Sequence, residues 1–303
     1  MVSSAFVFPG QGSHYVGMGK ALWDRFPQVR ALFEKANQIL RFDLTKLCFE
    51  GPLETLTRTD YSQPAIFVTS AAALSLISKS SKNSYQAHAS CGLSLGEYTA
   101  LLASGVLTFE EALRAVQERG RLMEEASKRT PGTLVAIFGL SLDQVQLLCK
   151  ESGTEVANLN CPGQIVVSGR LTDIETVETL AKEAGAKKTF RLEVSGPFHS
   201  RFMKEAGVGL EKVLEGLRFE EPKIPFVSNV TAHFEGDPLQ IRRNLVRQMS
   251  ETVLWEASIR HLIAQGIRQF VEIGPGKVLI GLIRKTDPHV ETLHIESPEE
   301  VPC

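Results

Sequence analysis

The stretch Cys91-Gly92-Leu93-Ser94-Leu95-Gly96-Glu97 places a serine in the spacing G-x-S-x-G. In that spacing a serine stands on a sharp turn between a strand and a helix, with its hydroxyl offered as a nucleophile. Gly92 and Gly96 carry no Cβ, so the backbone can bend tightly on both sides of Ser94. The chemistry would be attack of Ser94 Oγ on a carbonyl carbon. The resulting oxyanion would meet the N–H of Leu95 at the positive end of the following helix. So short a motif also has a bland reading as an ordinary glycine-flanked loop.

A serine nucleophile needs a base, and the chain offers seven histidines. No two of them have H-E-x-x-H spacing, so a zinc site is not expected. His199 follows Ser195-Gly196-Pro197-Phe198 at a junction between two differently patterned regions, where clefts are favoured. In the chain order of an α/β-hydrolase the base comes late, which would make His289 or His294 the candidate. Spacing alone leaves this choice open. It also leaves open the role of Arg119, which falls on the apolar stripe of Phe109, Ala112, Val116 and Met123. An inward arginine requires an anion. That anion is either Glu97, in a salt bridge, or the carboxylate of a substrate.

The elements that would position these residues read as α/β. Ala5–Phe8 is a buried first strand, followed by the loop Pro9-Gly10-Gln11-Gly12-Ser13 and by helices at about 18–25 and 27–40. After a loop rich in Thr and Asp, Pro64 is expected to open an apolar helix to Ile77, with a polar surface turn over 78–84. The nucleophile strand covers 87–91, and its helix stops near Gly105. Thr108-Phe109-Glu110-Glu111 is a capping box for the helix that carries Arg119. The pattern then changes to strand 134–138, helix 142–151, strands 155–160 and 164–169, helix 172–184 and strand 187–193. This is βαββαβ, a ferredoxin-like subdomain (131–196) inserted into a large α/β-hydrolase-like domain with a parallel sheet (1–130 and 197–303). The remainder supplies strands at 225–228 and 269–273 and helices near 200–216, 238–249 and 255–265.

Composition narrows the function. The 303 residues are 43% hydrophobic with a net charge of −2, which suits a large core and gives no basic footprint for nucleic acid. Five dispersed cysteines without a C-x-x-C pair suggest a reducing compartment and no structural metal. No apolar run approaches a membrane span, so a soluble, cytoplasmic protein is expected, or one of an organelle matrix if a transit peptide has been removed. The glycines at 10, 12, 17 and 19 are not a dinucleotide fingerprint, because Tyr15 stands at the third position. Gly274-Pro275-Gly276-Lys277 is not a phosphate loop, because Val271 stands where the first glycine belongs.

Taken together and in order, several motifs resemble the malonyl-CoA:acyl carrier protein transacylase family over nearly the whole chain. They are Phe8-Pro9-Gly10-Gln11-Gly12-Ser13, Ser62-Gln63-Pro64-Ala65, the Ser94 turn, Gln117-Glu118-Arg119-Gly120 and Asn160-Cys161-Pro162-Gly163-Gln164, then Pro197-Phe198-His199-Ser200, Ser228-Asn229-Val230, Arg247-Gln248-Met249 and Glu272-Ile273-Gly274-Pro275-Gly276. The resemblance implies Ser94 as nucleophile and His199 as its base, with the N–H groups of Gln11 and Leu95 as the oxyanion hole. It implies Arg119 as the clamp on the malonyl carboxylate and Gln248 as the residue whose backbone carbonyl orients the histidine. Asn160 would line the cleft, and Phe198 resembles the malonyl-selective members. The chain departs from the family pattern at Leu93, where histidine is usual.

The activity so implied is ping-pong transfer of malonyl from malonyl-CoA to the phosphopantetheine thiol of a holo acyl carrier protein, within fatty acid biosynthesis. No cofactor is expected, since coenzyme A arrives as part of the substrate, and a monomer is expected. A serine hydrolase such as a thioesterase, a carrier-docking module, and a free-standing acyltransferase of a polyketide synthase are the competing functions. Lys187, Lys188, Arg284 and Lys285 could face an acidic carrier, or form only a solvated surface.

Overall fold

Ala5, Val7 and Phe8 are fully buried because the strand they form lies in the middle of a six-stranded sheet. The computed structural model describes residues 3–77 and 86–301. The 78–84 turn and Cys303 lie outside the described residues. In chain order the elements are β1 (Ser4–Phe8), α1 (Lys20–Arg25), α2 (Pro27–Leu40), α3 (Leu44–Glu50), α4 (Leu53–Thr57), α5 (Thr59–Ile77), β2 (Ala87–Gly92), α6 (Gly96–Ala103) and α7 (Phe109–Arg129). There follow β3 (Gly132–Phe138), α8 (Leu142–Ser152), β4 (Glu155–Cys161), β5 (Gln164–Arg170), α9 (Leu171–Glu183) and β6 (Lys188–Arg191). After a 3₁₀ turn at Arg201–Met203 the chain adds α10 (Lys204–Glu215), β7 (Phe226–Val227), β8 (Phe234–Glu235), α11 (Pro238–Gln248), α12 (Trp255–Ala264), β9 (Gln269–Ile273), α13 (Val278–Thr286) and β10 (Glu291–Ile295).

The large sheet has the order β10-β9-β1-β2-β7-β8, parallel except for the final β7–β8 pair. Its register decides where function can sit. Phe8 pairs with Gly92 and Ser90 with Phe226, so the loops leaving β1, β2 and β7 emerge side by side at the carboxyl edge. That edge is where open parallel sheets bind ligands. One sheet face packs on α2, α5, α6 and α7, and the other on α12 and α13, giving two apolar clusters.

The second sheet is antiparallel, in the order β4-β5-β3-β6, and with α8 and α9 it encloses its own core. Its βαββαβ order follows the pattern read from the sequence. Capping residues explain the punctuation: Ser141 and Gln144 form a capping box on α8, Gly153 ends it at φ 78°, and Gly163 supplies φ 76° to the turn between β4 and β5.

Several elements depart from expectation. Helix α5 begins at Thr59 rather than Pro64, because Tyr61 and Ser62 already donate to the Arg58 carbonyl and the turn runs on into the apolar segment. Pro64 lies inside the helix, where burial of nearly every side chain outweighs one missing hydrogen bond. The preceding Thr-rich segment is not a loop, since it contains α4. The elements α3, α4, β8, α13 and β10 are not among those expected from the sequence.

The glycines of the nucleophile turn are required by contact, not by dihedral. A Cβ on Gly92 would lie 2.0 Å from Gly96 C, and one on Gly96 would lie 2.1 Å from the Phe8 carbonyl oxygen. Gly96→Ala is therefore expected to destabilise the protein by about 3 kcal/mol or more, the upper end for overpacking. Chemical denaturation measures it, and a change below about 1 kcal/mol would contradict this account of the packing.

Candidate active site

The left-handed backbone at the turn belongs to Ser94 itself, at φ 53°. Ser94 is only 8% exposed, and its hydroxyl lies 2.8 Å from His199 Nε2. His199 Nδ1 lies 2.7 Å from the backbone carbonyl of Gln248. A carbonyl only accepts, so Nδ1 carries the proton and Nε2 presents its lone pair to Ser94. The Gln248 carbonyl is available because it stands in the last turn of α11, where helix carbonyls have no partner further along.

The electrostatics favour a neutral imidazole. Burial and the nearby Arg119 cation push His199 down to about 4, against the opposing pull of the Gln248 carbonyl. The pH dependence follows in sign: protonation of Nε2 removes the base, so Ser94 reactivity falls only as pH drops through about 4. The rate of Ser94 acylation is expected to be flat from neutral pH to well below the ordinary histidine range. An acid limb centred near 6.5 in a pre-steady-state pH profile would contradict this. The linked stability is complete above the ordinary histidine value and is lost as pH falls from there toward about 4.

Arg119 is 1% exposed and makes no salt bridge to Glu97 or to any other carboxylate among the described residues. It donates from one terminal nitrogen to Gln63 Oε1 at 2.7 Å. From the other it donates to Ser94 Oγ and to Gln248 Oε1, both at 2.9 Å. All three partners are neutral, and Nε has none among the described residues. Gly120 explains how Gln63 comes within reach. A Cβ there would lie 2.8 Å from the Thr59 carbonyl oxygen, so its absence lets α5 close on α7 beside the arginine. Glu97 instead accepts from the Asn229 N–H at 2.6 Å and from the Gln248 side chain. Burial pushes its carboxyl up to about 8 against those donors and the Arg119 charge.

The remaining expected residues gather around the same serine. Leu95 is the N-cap residue of α6, and Gln11 sits in the turn after β1; among the described residues no hydrogen bond occupies the N–H of either. A cleft of about 320 Å³ lies over Ser94 between the two sheets, lined by Gln11, Leu93, Asn160, Phe198 and His199 with apolar residues of β3, β5, β6 and α13. Leu93 makes that wall apolar at the position next to the nucleophile. Asn160 Oδ1 is buried there with no partner among the described residues. A second, open hollow of about 560 Å³ meets His199 from the side of Cys149 and Thr252.

His289 and His294 are not placed to serve Ser94. His294 is occupied by the Gly274 carbonyl and Glu300, and His289 lies on the loop before β10 beside Asp287. Sequence reasoning assigned no role to Asn229 or Gln63, although both stood in motifs it singled out. Asn229 accepts from the Ser94 N–H and donates to the Gly92 carbonyl, each at 2.7 Å. The available signal was its position two residues past a buried strand at the carboxyl edge of the sheet. Among the described residues no group of three or more metal-ligating side chains converges, and no helix is long and apolar enough to cross a membrane.

Comparison with known proteins identifies what the whole chain is similar to. The model of the acyl transferase domain matches residues 5–296. A malonyl CoA-acyl carrier protein transacylase of Bacillus subtilis (strain 168) is 42% identical over 306 residues, covering 99% of this chain and 96% of that protein. The acyl-carrier-protein-S-malonyltransferase structure from Bartonella henselae superposes with a TM-score of 0.94 at 34% identity, covering 99% of this chain and 97% of that one. A malonyl-transacylase solved in complex with its type II PKS acyl-carrier protein superposes with a TM-score of 0.95 at 37% identity, with 99% and 97% covered. The chain belongs to the acyl transferase domain family, and within it to the malonyl-CoA:acyl carrier protein transacylases.

Proposed function

We propose that this protein transfers the malonyl group of malonyl-CoA to the phosphopantetheine thiol of a holo acyl carrier protein. The observation that carries the reading is Arg119, a buried guanidinium bonded, among the described residues, only to the neutral Gln63 and Gln248 side chains and to the Ser94 hydroxyl itself. Such a cation is stabilised when an anion arrives next to the serine, and malonyl places a carboxylate one carbon from the carbonyl that Ser94 attacks.

Ser94 Oγ attacks the thioester carbonyl as its proton passes to His199 Nε2. The tetrahedral oxyanion is held by the N–H groups of Gln11 and Leu95, and collapse expels coenzyme A as the thiol, protonated by His199. The carrier's pantetheine thiol then gives its proton to His199 and attacks the malonyl-serine carbonyl. Ser94 leaves with that proton, and the cycle closes. The Gln248 carbonyl keeps the imidazole in one tautomer, so the dyad needs no third carboxylate. Phe198 and Asn160 bound the acyl and pantetheine path, and residues 131–196 act as the unit that walls the cleft opposite the dyad.

The reading includes no cofactor beyond the coenzyme A carried in by the substrate, a monomer as the working unit, and a place in fatty acid biosynthesis in the cytoplasm. The test is coenzyme A release from malonyl-CoA with and without holo carrier protein. Release that continues only with the carrier, with malonyl recovered on its thiol, is expected. Continuous release of free malonate without a carrier would make the protein a hydrolase instead.

A further inference from the structure

We infer that Asn229 is a positioning residue for the nucleophile, its carboxamide pinning the backbone of the Ser94 turn from both sides. The inference rests on Ser94 as the nucleophile. Ser94 occupies left-handed backbone space at φ 53°, which costs a non-glycine residue about 1–2 kcal/mol and persists only where the surroundings enforce it. Asn229 supplies that enforcement. Oδ1 accepts the Ser94 N–H and Nδ2 donates to the Gly92 carbonyl, each at 2.7 Å, so one planar group spans the turn.

The clamp is itself immobile. Asn229 is fully buried, its N–H donates to Glu97 Oε1 at 2.6 Å, and its carbonyl accepts from the Leu254 N–H at 2.9 Å. Helix α6 and the segment after α11 therefore hold it from two sides. That segment also bonds to β4, through Leu159 N–H to the Val253 carbonyl at 2.9 Å and Val253 N–H to the Ala157 carbonyl at 2.8 Å. The strand that lines the cleft and the clamp on the nucleophile thus share one anchor.

Two chemical consequences follow. Occupation of the Ser94 N–H removes it as an oxyanion donor, which leaves the free N–H groups of Leu95 and Gln11 for that role. The position also requires a donor and an acceptor at once. Asparagine provides both, whereas aspartate would turn an oxygen against the Gly92 carbonyl.

The test is rapid-quench acylation of Asn229→Ala by malonyl-CoA, followed by intact-protein mass spectrometry. The acylation rate constant is expected to fall about 100-fold, the scale of a misplaced reacting atom. The adduct amplitude per folded protein, the KM for malonyl-CoA and the preference for malonyl over acetyl should stay at wild-type values. If the alanine variant does not fold, the isosteric Asn229→Asp carries the same test, with at least about a tenfold slowing expected. A folded variant that acylates at the wild-type rate overturns the inference, and so does a loss confined to amplitude or to KM, the signature of a merely structural role. Absence of a Ser94-dependent adduct in the wild type would instead sink the nucleophile assignment, a separate failure.

Discussion

His199→Ala is expected to slow malonyl transfer by about 10²–10⁴-fold, the contribution of a well-placed general base. The imidazole Nε2 stands 2.8 Å from Ser94 Oγ and is held neutral by burial and the Arg119 charge down to about pH 4, so above that it is ready to take the proton. Without it the hydroxyl must ionise unaided. The loss should appear in the acylation rate constant, with the KM for malonyl-CoA little changed, because Arg119 and the cleft wall remain. The acid limb near pH 4 should vanish with the imidazole. Residual catalysis over water survives through the oxyanion donors, and a Ser94→Ala/His199→Ala double variant should be scarcely slower than Ser94→Ala alone, since the two residues act as a unit. Pre-steady-state and steady-state kinetics of these variants over a pH range check these expectations. A His199→Ala variant within about tenfold of wild type would show that another group is the base.

Arg119→Ala is expected to lower kcat/KM for malonyl-CoA by about 10²–10³-fold, from the loss of charge-assisted hydrogen bonds worth about 1.5–3 kcal/mol each. Acetyl-CoA has no carboxylate to clamp, so its transfer should fall far less or improve, and the preference for malonyl should collapse. Part of the cost is general: the Gln63 and Gln248 side-chain oxygens that now accept from the guanidinium would be left without a donor. Arg119→Lys separates charge from geometry, since it keeps the cation but cannot reach Gln63, Gln248 and a carboxylate with one planar group. It should recover some malonyl transfer and not all. Removing the positive charge should also let the His199 pKa rise, moving the acid limb of the alanine variant upward. Competition between malonyl-CoA and acetyl-CoA measures the selectivity directly. An unchanged malonyl-to-acetyl ratio would contradict the clamp.

What the sequence made legible was what local pattern encodes. The G-x-S-x-G spacing, the Thr108 capping box and the βαββαβ alternation each depend on residues close in the chain, and each appears where expected. Arg119 was legible as inward-facing because helical periodicity reports a face. Its partners were not legible, because Gln63, Ser94 and Gln248 come from other elements and meet it only through the α5–α7 contact at Gly120 and the end of α11. The base could not be chosen by spacing for the same reason, since the decisive partner of His199 is a backbone carbonyl that carries no side-chain signature. Asn229 escaped because a buried asparagine after a two-residue strand looks like turn chemistry until the strand register puts β7 beside β2.

Peptide-level mass spectrometry of the wild-type protein, quenched after brief exposure to malonyl-CoA and again after addition of holo carrier protein, tests the central claim most directly. The account predicts a malonyl ester on the peptide containing Ser94, absent from Ser94→Ala and discharged by the carrier with malonyl recovered on its pantetheine thiol. A stable malonyl group on any other residue, or no covalent intermediate while the carrier is still malonylated, would contradict it.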